Sequence, residues 1–385
     1  MTTWHWLTQF TQTATRGTLI RLLIKSVIFF VLINGVFVLL QPLPAINRLS
    51  IYNWLVPGRD RLPYGENATL ANNLSVNSLE AMFASHEINT PQAEDEFRVA
   101  VMGDSGTWGI LLRPDETISA WLNQQNLTHP NGQRLVFYNL GYPTMSLTKD
   151  LLLLDRALAF EPDAILWLVT AQSFPRPTQL DAPLVTFNPQ AITPLVEAYD
   201  LNLDLQDARF ERLDVWDQTL VGRRRELADW IRLQFYGFVW ASSGQDQYYP
   251  PEYTPLTVDY DEDLRWGPFA TEQTLTRDDL ALDMLEAGFE RAGETPIWLV
   301  NEAMFISDGV NSDLRYNFFY PRWAYDQYRE LVSETAETHQ WPYLNLWDVV
   351  APSEFTDSPV HMTLEGVAQM GTPLAEWIQA QLQSE

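Results

Sequence analysis

Cysteine is absent from the 385 residues, and lysine is reduced to two, Lys25 and Lys149. The first absence excludes thiol nucleophiles, disulfides and thiolate sites for zinc or iron–sulfur clusters. The second leaves little room for Schiff-base or Ser/Lys chemistry, which needs a lysine amine at the reacting centre. Basic side chains are scarce in general: Lys and Arg number 24 against 50 Asp and Glu, a net charge of −26. Residues 1–40 hold three of the bases, Arg16, Arg21 and Lys25, and no acid, so the remainder carries a net of −29. So acidic a domain repels phosphate backbones, and no basic strip interleaved with aromatics offsets this, which argues against nucleic-acid binding. Apolar residues are plentiful, at 46% hydrophobic and 13% aromatic. That is ample for a core and contrary to wholesale disorder.

Leu22 to Leu40 is apolar apart from Lys25, Ser26, Asn34 and Gly35, and it approaches the roughly 20 residues needed to cross a hydrocarbon core. The bases on its N-terminal side predict a cytoplasmic N-terminus and an extracytoplasmic remainder, although Arg48, Arg59 and Arg61 reduce the asymmetry. Gln41-Pro42-Leu43-Pro44-Ala45 lacks a small-x-small cleavage signal, which favours a retained single-pass anchor over a cleaved signal peptide. The expected division is a cytoplasmic tail over 1–21, a transmembrane anchor over 22–43, a polar linker over 44–96 with a short helix near Ser78 to Phe83, and one elaborated domain over 97–385.

Within that domain, strands are expected near Arg98 to Met102, Leu135 to Leu140, Ala164 to Val169, Pro296 to Val300 and Tyr343 to Trp347, separated by helix-like stretches. This alternation predicts an α/β fold with a doubly wound, parallel five-stranded sheet and helices on both faces. Residues 173–295 are too many for one crossover, so an insertion beside the strand ends is expected there. It contains Arg223-Arg224-Arg225 followed, at helical spacing, by Leu227, Trp230, Ile231, Leu233, Phe235, Tyr236, Phe238, Val239 and Trp240. Two readings stay open for it: a core-packing helix, or an interfacial helix that docks on a membrane or a membrane partner. The Tyr/Pro-rich run from Gln245 to Tyr253 reads either as a surface loop or as the wall of a carbohydrate groove.

The densest chemistry lies where Val99-Ala100-Val101-Met102 runs into Gly103-Asp104-Ser105-Gly106-Thr107-Trp108-Gly109. A serine at the carboxyl end of a buried strand, followed by Gly and a helix start, stands where α/β sheets bind ligands and where backbone N–H groups can hold an oxyanion. The alternative is a plain strand-to-helix turn, with Asp104 or Ser105 as its cap. A serine hydroxyl needs a base to become a nucleophile, and the base needs a carboxylate to orient it. Of the five histidines, His5 precedes the apolar run, and His86, His129 and His339 lie in polar stretches. His361 follows a strand and loop that deliver it to the same sheet edge as Ser105, which makes it the candidate base.

These residues resemble the SGNH/GDSL hydrolase family, whose first block reads Gly-Asp-Ser-x-Thr-x-Gly. The resemblance extends through Pro114-Asp115-Glu116-Thr117 and Trp121-Leu122, through Tyr138-Asn139-Leu140-Gly141, and to Asp357-Ser358-Pro359-Val360-His361 with Thr363-Leu364-Glu365-Gly366. It implies an SGNH-type, flavodoxin-like sheet with Ser105 as nucleophile, His361 as base, Asp357 as acid, and the Ser105 and Gly141 N–H groups as oxyanion donors. Two departures stand out. The family's acid sits three residues before the histidine, where this chain has Ser358, and Asp357 is one further back. The family's oxyanion asparagine is replaced in Thr170-Ala171-Gln172-Ser173, where Gln172 either supplies the amide one methylene further out or is only a polar strand-end residue.

With the anchor, the whole is similar to the extracytoplasmic SGNH proteins that accompany membrane-bound O-acyltransferases. That likeness implies acyl transfer or ester hydrolysis on a cell-surface polysaccharide, no metal or other cofactor, and an integral-membrane O-acyltransferase as partner. The alternatives are an ordinary anchored esterase or lipase acting on small acyl esters, and a non-catalytic assembly subunit.

Overall fold

Three apolar runs long enough to be buried on both faces make the centre of the sheet, and two more polar ones make its edges. The computed structural model describes residues 15–47, 49, 51–56, 64–67, 77–210, 214–244, 249–250 and 252–384. Strands β1 (Glu96–Met102), β2 (Arg134–Asn139), β3 (Ala164–Val169), β4 (Ile297–Asn301) and β5 (Tyr343–Asn345) pair in parallel in the order β2-β1-β3-β4-β5. This is an α/β protein with a five-stranded parallel sheet, and its strand order is that of doubly wound sheets. Every residue of β1, β3 and β4 is buried, as parallel strands covered on both faces require, whereas β2 and β5 are partly exposed.

Helices α1 (Arg16–Leu40), α2 (Leu79–Ala84), α3 (Ser105–Trp108), α4 (Ile118–Gln124), α5 (Leu147–Ala157), α6 (Arg224–Ser243), α7 (Leu282–Ala292), α8 (Arg322–His339) and α9 (Leu364–Ser384) are accompanied by further helices at Leu43–Asn47, Ile51–Leu55, Pro183–Thr186 and Pro189–Tyr199 and by short 3-10 turns. Alternation along the strands divides the core in two. Met102, Ile165, Trp167 and Leu299 pack with α5, α7 and α8 through residues such as Leu151, Leu285 and Tyr328. Val101, Leu166, Leu168 and Val300 face the other way, onto Leu122 of α4 and Val367, Met370 and Leu374 of α9. The sheet therefore brings the carboxyl ends of β1, β3 and β4 to one edge, which is also where α3 begins.

The chain divides into two units, Met1–Ile46 with Arg212–Leu233, and Asn47–Glu211 with Gln234–Glu385. In the first, α1 is long and apolar enough to cross a membrane. The second takes in more than the expected domain, because the end of the presumed linker belongs to its core. Tyr64, Leu79, Met82, Phe83 and Ile88 are buried in the cluster against α5. Arg98 ties this segment to β1, its guanidinium donating to the carbonyls of Ile88 at 3.1 Å and Thr90 at 3.0 Å. His86, read from sequence as a residue of a polar stretch, is buried: Nδ1 accepts from the Ile88 N–H at 3.0 Å, and Nε2–H donates to the Asn139 carbonyl at 2.8 Å. Residues 173–295 are likewise not one appendage. Leu184, Ile192 and Leu195 join the main core, as do Leu282, Met284, Leu285 and Ala287 of α7, whereas the helical stretch of α6 buries only Gly237. The core-packing reading of α6 is therefore set aside. The expected tail falls outside the described residues as far as residue 14, as do positions 245–248 and 251 of the Tyr/Pro-rich run.

Phe83→Ala tests the place of residues 77–96 directly. A residue of a solvated linker would tolerate the change, whereas loss of a fully buried ring costs about 3–5 kcal/mol, measurable as a lowered urea midpoint at unchanged slope.

Candidate active site

Ser105 is the first residue of α3, and its N–H therefore has no acceptor within the helix. Asp104 caps the turn, its Oδ1 accepting from the Gly106 N–H at 2.8 Å. His361 comes from the far end of the sequence on a loop that closes on itself. Phe355 and Met362 bridge its base, the Thr356 N–H donates to the His361 carbonyl at 2.8 Å, and the His361 N–H donates to the Ser358 carbonyl at 3.2 Å. Val360 passes so close over α3 that a Cβ on Gly106 would lie 2.9 Å from the Val360 carbonyl oxygen.

That approach joins three side chains. The Ser105 hydroxyl donates to His361 Nε2 at 2.8 Å, and His361 Nδ1–H donates to Asp357 Oδ1 at 2.8 Å. The turn from Ser358 to His361 takes up the extra residue between acid and base, so it is Asp357, and not Ser358, that meets the imidazole. The ring is held in the tautomer that leaves Nε2 free to accept a proton. Ser105 and His361 are buried, while the Asp357 side chain is 55% exposed. The acid thus has one face on the imidazole and one in solvent.

The expected oxyanion donors fare differently. The Gly141 N–H already donates to Asn139 Oδ1 at 2.9 Å, so it is not free for a substrate oxygen. A Cβ on Gly141 would lie 2.4 Å from the Trp108 nitrogen; the glycine is needed for close packing on α3, which corrects its assignment as a donor. Gln172 follows β3, and Trp266 Nε1–H donates to its Oε1 at 3.2 Å. Because an indole N–H can only donate, the amide oxygen must face it, and Nε2 is left with no protein acceptor among the described residues. The Gln172 N–H donates to the Tyr320 hydroxyl at 3.3 Å, and that hydroxyl lies 2.7 Å from Thr170 Oγ1. The amide is thus held at both ends of the residue.

Sequence reasoning missed the ionisable cluster under this turn. Lys149, on α5, is fully buried; its Nζ donates to the Gly103 carbonyl at 2.8 Å and pairs with Asp150 at 2.5 Å. Glu302 follows β4 and is also buried, with Oε2 3.3 Å from where a Gly106 Cβ would stand. Both Glu302 oxygens and Asp104 Oδ2 lack a hydrogen-bond partner among the described residues. Burial, and then the Asp104 charge, push Glu302 well above the usual carboxylate range. Burial also raises Asp104, opposed by the Gly106 N–H and by Lys149. The signal was present in the sequence: one of only two lysines, and a glutamate directly after a buried strand.

Beside the acid lies a cleft of about 730 Å³, lined among others by Pro250, Glu252, Tyr253, Tyr260, Phe318 and Asp357. It adjoins the triad on its Asp357 side; Ser105 and His361 are not part of its wall. Two carboxylates line it, and no Lys, Arg or His does. Among the described residues no group of three or more His, Asp or Glu side chains is placed to hold a metal ion.

No family model and no curated protein matches the chain. One solved structure aligns with 75% of this chain and 99% of its own at 12% identity, with a TM-score of 0.37, a likeness too slight to bear on fold or function.

Glu302 gives this site a pH signature. Its folded-state value is raised, so the stability due to its protonated form is complete below the ordinary glutamate value of about 4.3 and is lost as pH rises through the raised value. Glu302→Gln, which does not ionise, should lose less Tm than the wild type as pH rises above that ordinary value. Parallel Tm profiles for the two proteins would contradict the upward shift of Glu302.

Proposed function

We propose that the protein is a membrane-anchored serine esterase or acyltransferase of SGNH type, with Ser105 as nucleophile, His361 as general base and Asp357 as the acid that orients it. The observation that carries this reading is the unbroken chain Ser105–His361–Asp357, with both links at 2.8 Å. Ser105 Oγ attacks an acyl carbonyl while His361 Nε2 takes the hydroxyl proton. The tetrahedral oxyanion receives the Ser105 N–H and the Gln172 Nε2–H. As it collapses, the bond to the alkoxy group breaks and His361 returns the proton to the departing alcohol. Water or a second hydroxyl then attacks the acyl-serine ester by the same steps in reverse.

The substrate class proposed is an acyl ester of a cell-surface saccharide. Sugar rings offer apolar faces to aromatic side chains and hydroxyls to carboxylates, and the cleft beside Asp357 supplies Tyr253, Tyr260, Phe318 and Glu252. The partial wall formed by Pro250, Glu252 and Tyr253 agrees with the groove reading of that run. A wall with carboxylates and no cation disfavours a polyanionic polymer and favours a neutral one. The chain is proposed to be held by α1 with its N-terminus in the cytoplasm and its larger unit outside, where an integral-membrane O-acyltransferase would supply the acyl group.

A fluorophosphonate probe should label the wild type at Ser105, and neither Ser105→Ala nor His361→Ala. Asp357→Asn should lower turnover of a small ester by about 10²–10⁴-fold, and Gln172→Ala by about 10²–10³-fold. Labelling of the His361→Ala protein at the wild-type rate would remove the base from the mechanism. Topology is tested separately: a reporter enzyme that folds only after export, fused after Glu385, should be active, and activity of a cytoplasmic reporter at the same place would invert the assignment.

A further inference from the structure

Polar atoms inside an apolar span are tolerated only when something satisfies them. Asn34 lies six residues before the end of α1 at Leu40, about 9 Å along a helix. Its Nδ2 donates to the Phe30 carbonyl at 2.8 Å, and its Oδ1 accepts from the backbone N–H of Val221 at 3.2 Å. Gln41, which caps α1, donates to Gln218 at 3.3 Å. Asn34 and Phe37 are the residues of α1 that become buried. The stretch before α6 is therefore seated along the last two turns of the span.

That stretch turns its apolar side chains outward. Val215 is 74% exposed and Trp216 is 55% exposed. Its backbone is satisfied within itself, through Gln218 N–H to Asp214 O at 3.1 Å, Thr219 N–H to Trp216 O at 3.0 Å and Arg223 N–H to Thr219 O at 2.9 Å. Into α6 the pattern continues. Ile231, Phe235, Phe238 and Val239 recur at i, i+4, i+7 and i+8, and all four are exposed. Arg224 and Arg225 at the helix start are exposed as well. Exposed apolar residues in a stripe, an interfacial tryptophan and a basic flank are the composition of a segment lying in a bilayer surface. Asp214, Asp217 and the Arg223–Glu226 pair at 2.6 Å limit it to the headgroup layer rather than the hydrocarbon core.

We infer that the segment from Val215 through Ile231 is a second membrane contact, a monotopic element packed on α1 at the lipid–water interface, whose occupant is lipid. The inference rests on the reading of α1 as a membrane anchor, and continuity with that helix is what selects lipid over another protein.

The absence of cysteine permits a direct test. Single-cysteine versions of the full chain, Trp216→Cys and Ile231→Cys, with Val215→Cys as a second choice at an exposed position, are labelled with an environment-sensitive fluorophore. They are reconstituted in nanodiscs of phosphatidylethanolamine and phosphatidylglycerol carrying a shallow spin-labelled lipid. Ile28→Cys reports on the anchor, and Glu376→Cys serves as the exposed reference. Blue-shifted emission with loss of intensity at 216 and 231, as at 28, is the expected result. A lipid-quenched probe at 28 with water-like emission at 216 and 231 overturns the inference and leaves the anchor standing. Blue-shifted but unquenched probes at 216 and 231 assign the surface to a protein and overturn it as well. A water-like probe at 28 refutes the anchor reading itself, and this inference with it.

Discussion

The site depends on one close approach, that of the Val360 carbonyl to Gly106. Any side chain at 106 would push the loop from Phe355 to Met362 away from α3, and with it the imidazole from the Ser105 hydroxyl. A hydrogen bond of 2.8 Å between residues 256 positions apart is maintained by two backbones in contact, not by the side chains alone. The sheet provides the setting. β1 ends at the turn into Ser105, β3 runs into Gln172, and β4 runs into Glu302, so three neighbouring strands each bring one polar residue to the same edge.

Beneath the turn the protein accepts an expensive arrangement. Taking Lys149, Asp150, Asp104 and Glu302 out of water is unfavourable unless the charges compensate one another. They do so here by pairing the ammonium with Asp150 and the Gly103 carbonyl, while burial and the Asp104 charge push Glu302 towards its neutral form. Of these groups Lys149 and Asp104 contact the backbone of the Gly103–Gly106 turn, through the Gly103 carbonyl and the Gly106 N–H. Their effect is to hold the strand-to-helix turn in one shape, which the preorganisation of the proposed nucleophile and oxyanion donor requires.

Much of this was legible in the sequence, and for identifiable reasons. Three of the five strands are apolar runs with sharp ends, and each of the five expected strands overlaps the observed one, Ala164–Val169 along its whole length. Ser105 and His361 stand next to local signals, a Gly-rich turn and a loop after a strand, so their meeting follows from topology. Asp357 was placed with more difficulty because the compact turn at Ser358–His361 cannot be read from spacing. Gly141 was misjudged because its N–H depends on where the Asn139 side chain turns, which is a tertiary fact. Phe83 and Ile88 lie in a polar, Asn- and Ser-rich region whose composition conceals a few buried residues. The exposed face of α6 could not be told from a core helix by periodicity, since both carry an apolar stripe; the exposure of Ile231, Phe235, Phe238 and Val239 separates them.

The central claim is that Ser105 is made nucleophilic by His361 and passes through an acyl ester. Rapid mixing of the full chain with an activated acetyl ester, acid quench and mass analysis of the peptide bearing Ser105 tests it most directly. The account predicts a burst of released alcohol matching the enzyme concentration, and one acetyl group on Ser105 that disappears as the ester is exhausted. Turnover without a burst, with Ser105 unmodified at every quench time, would contradict it.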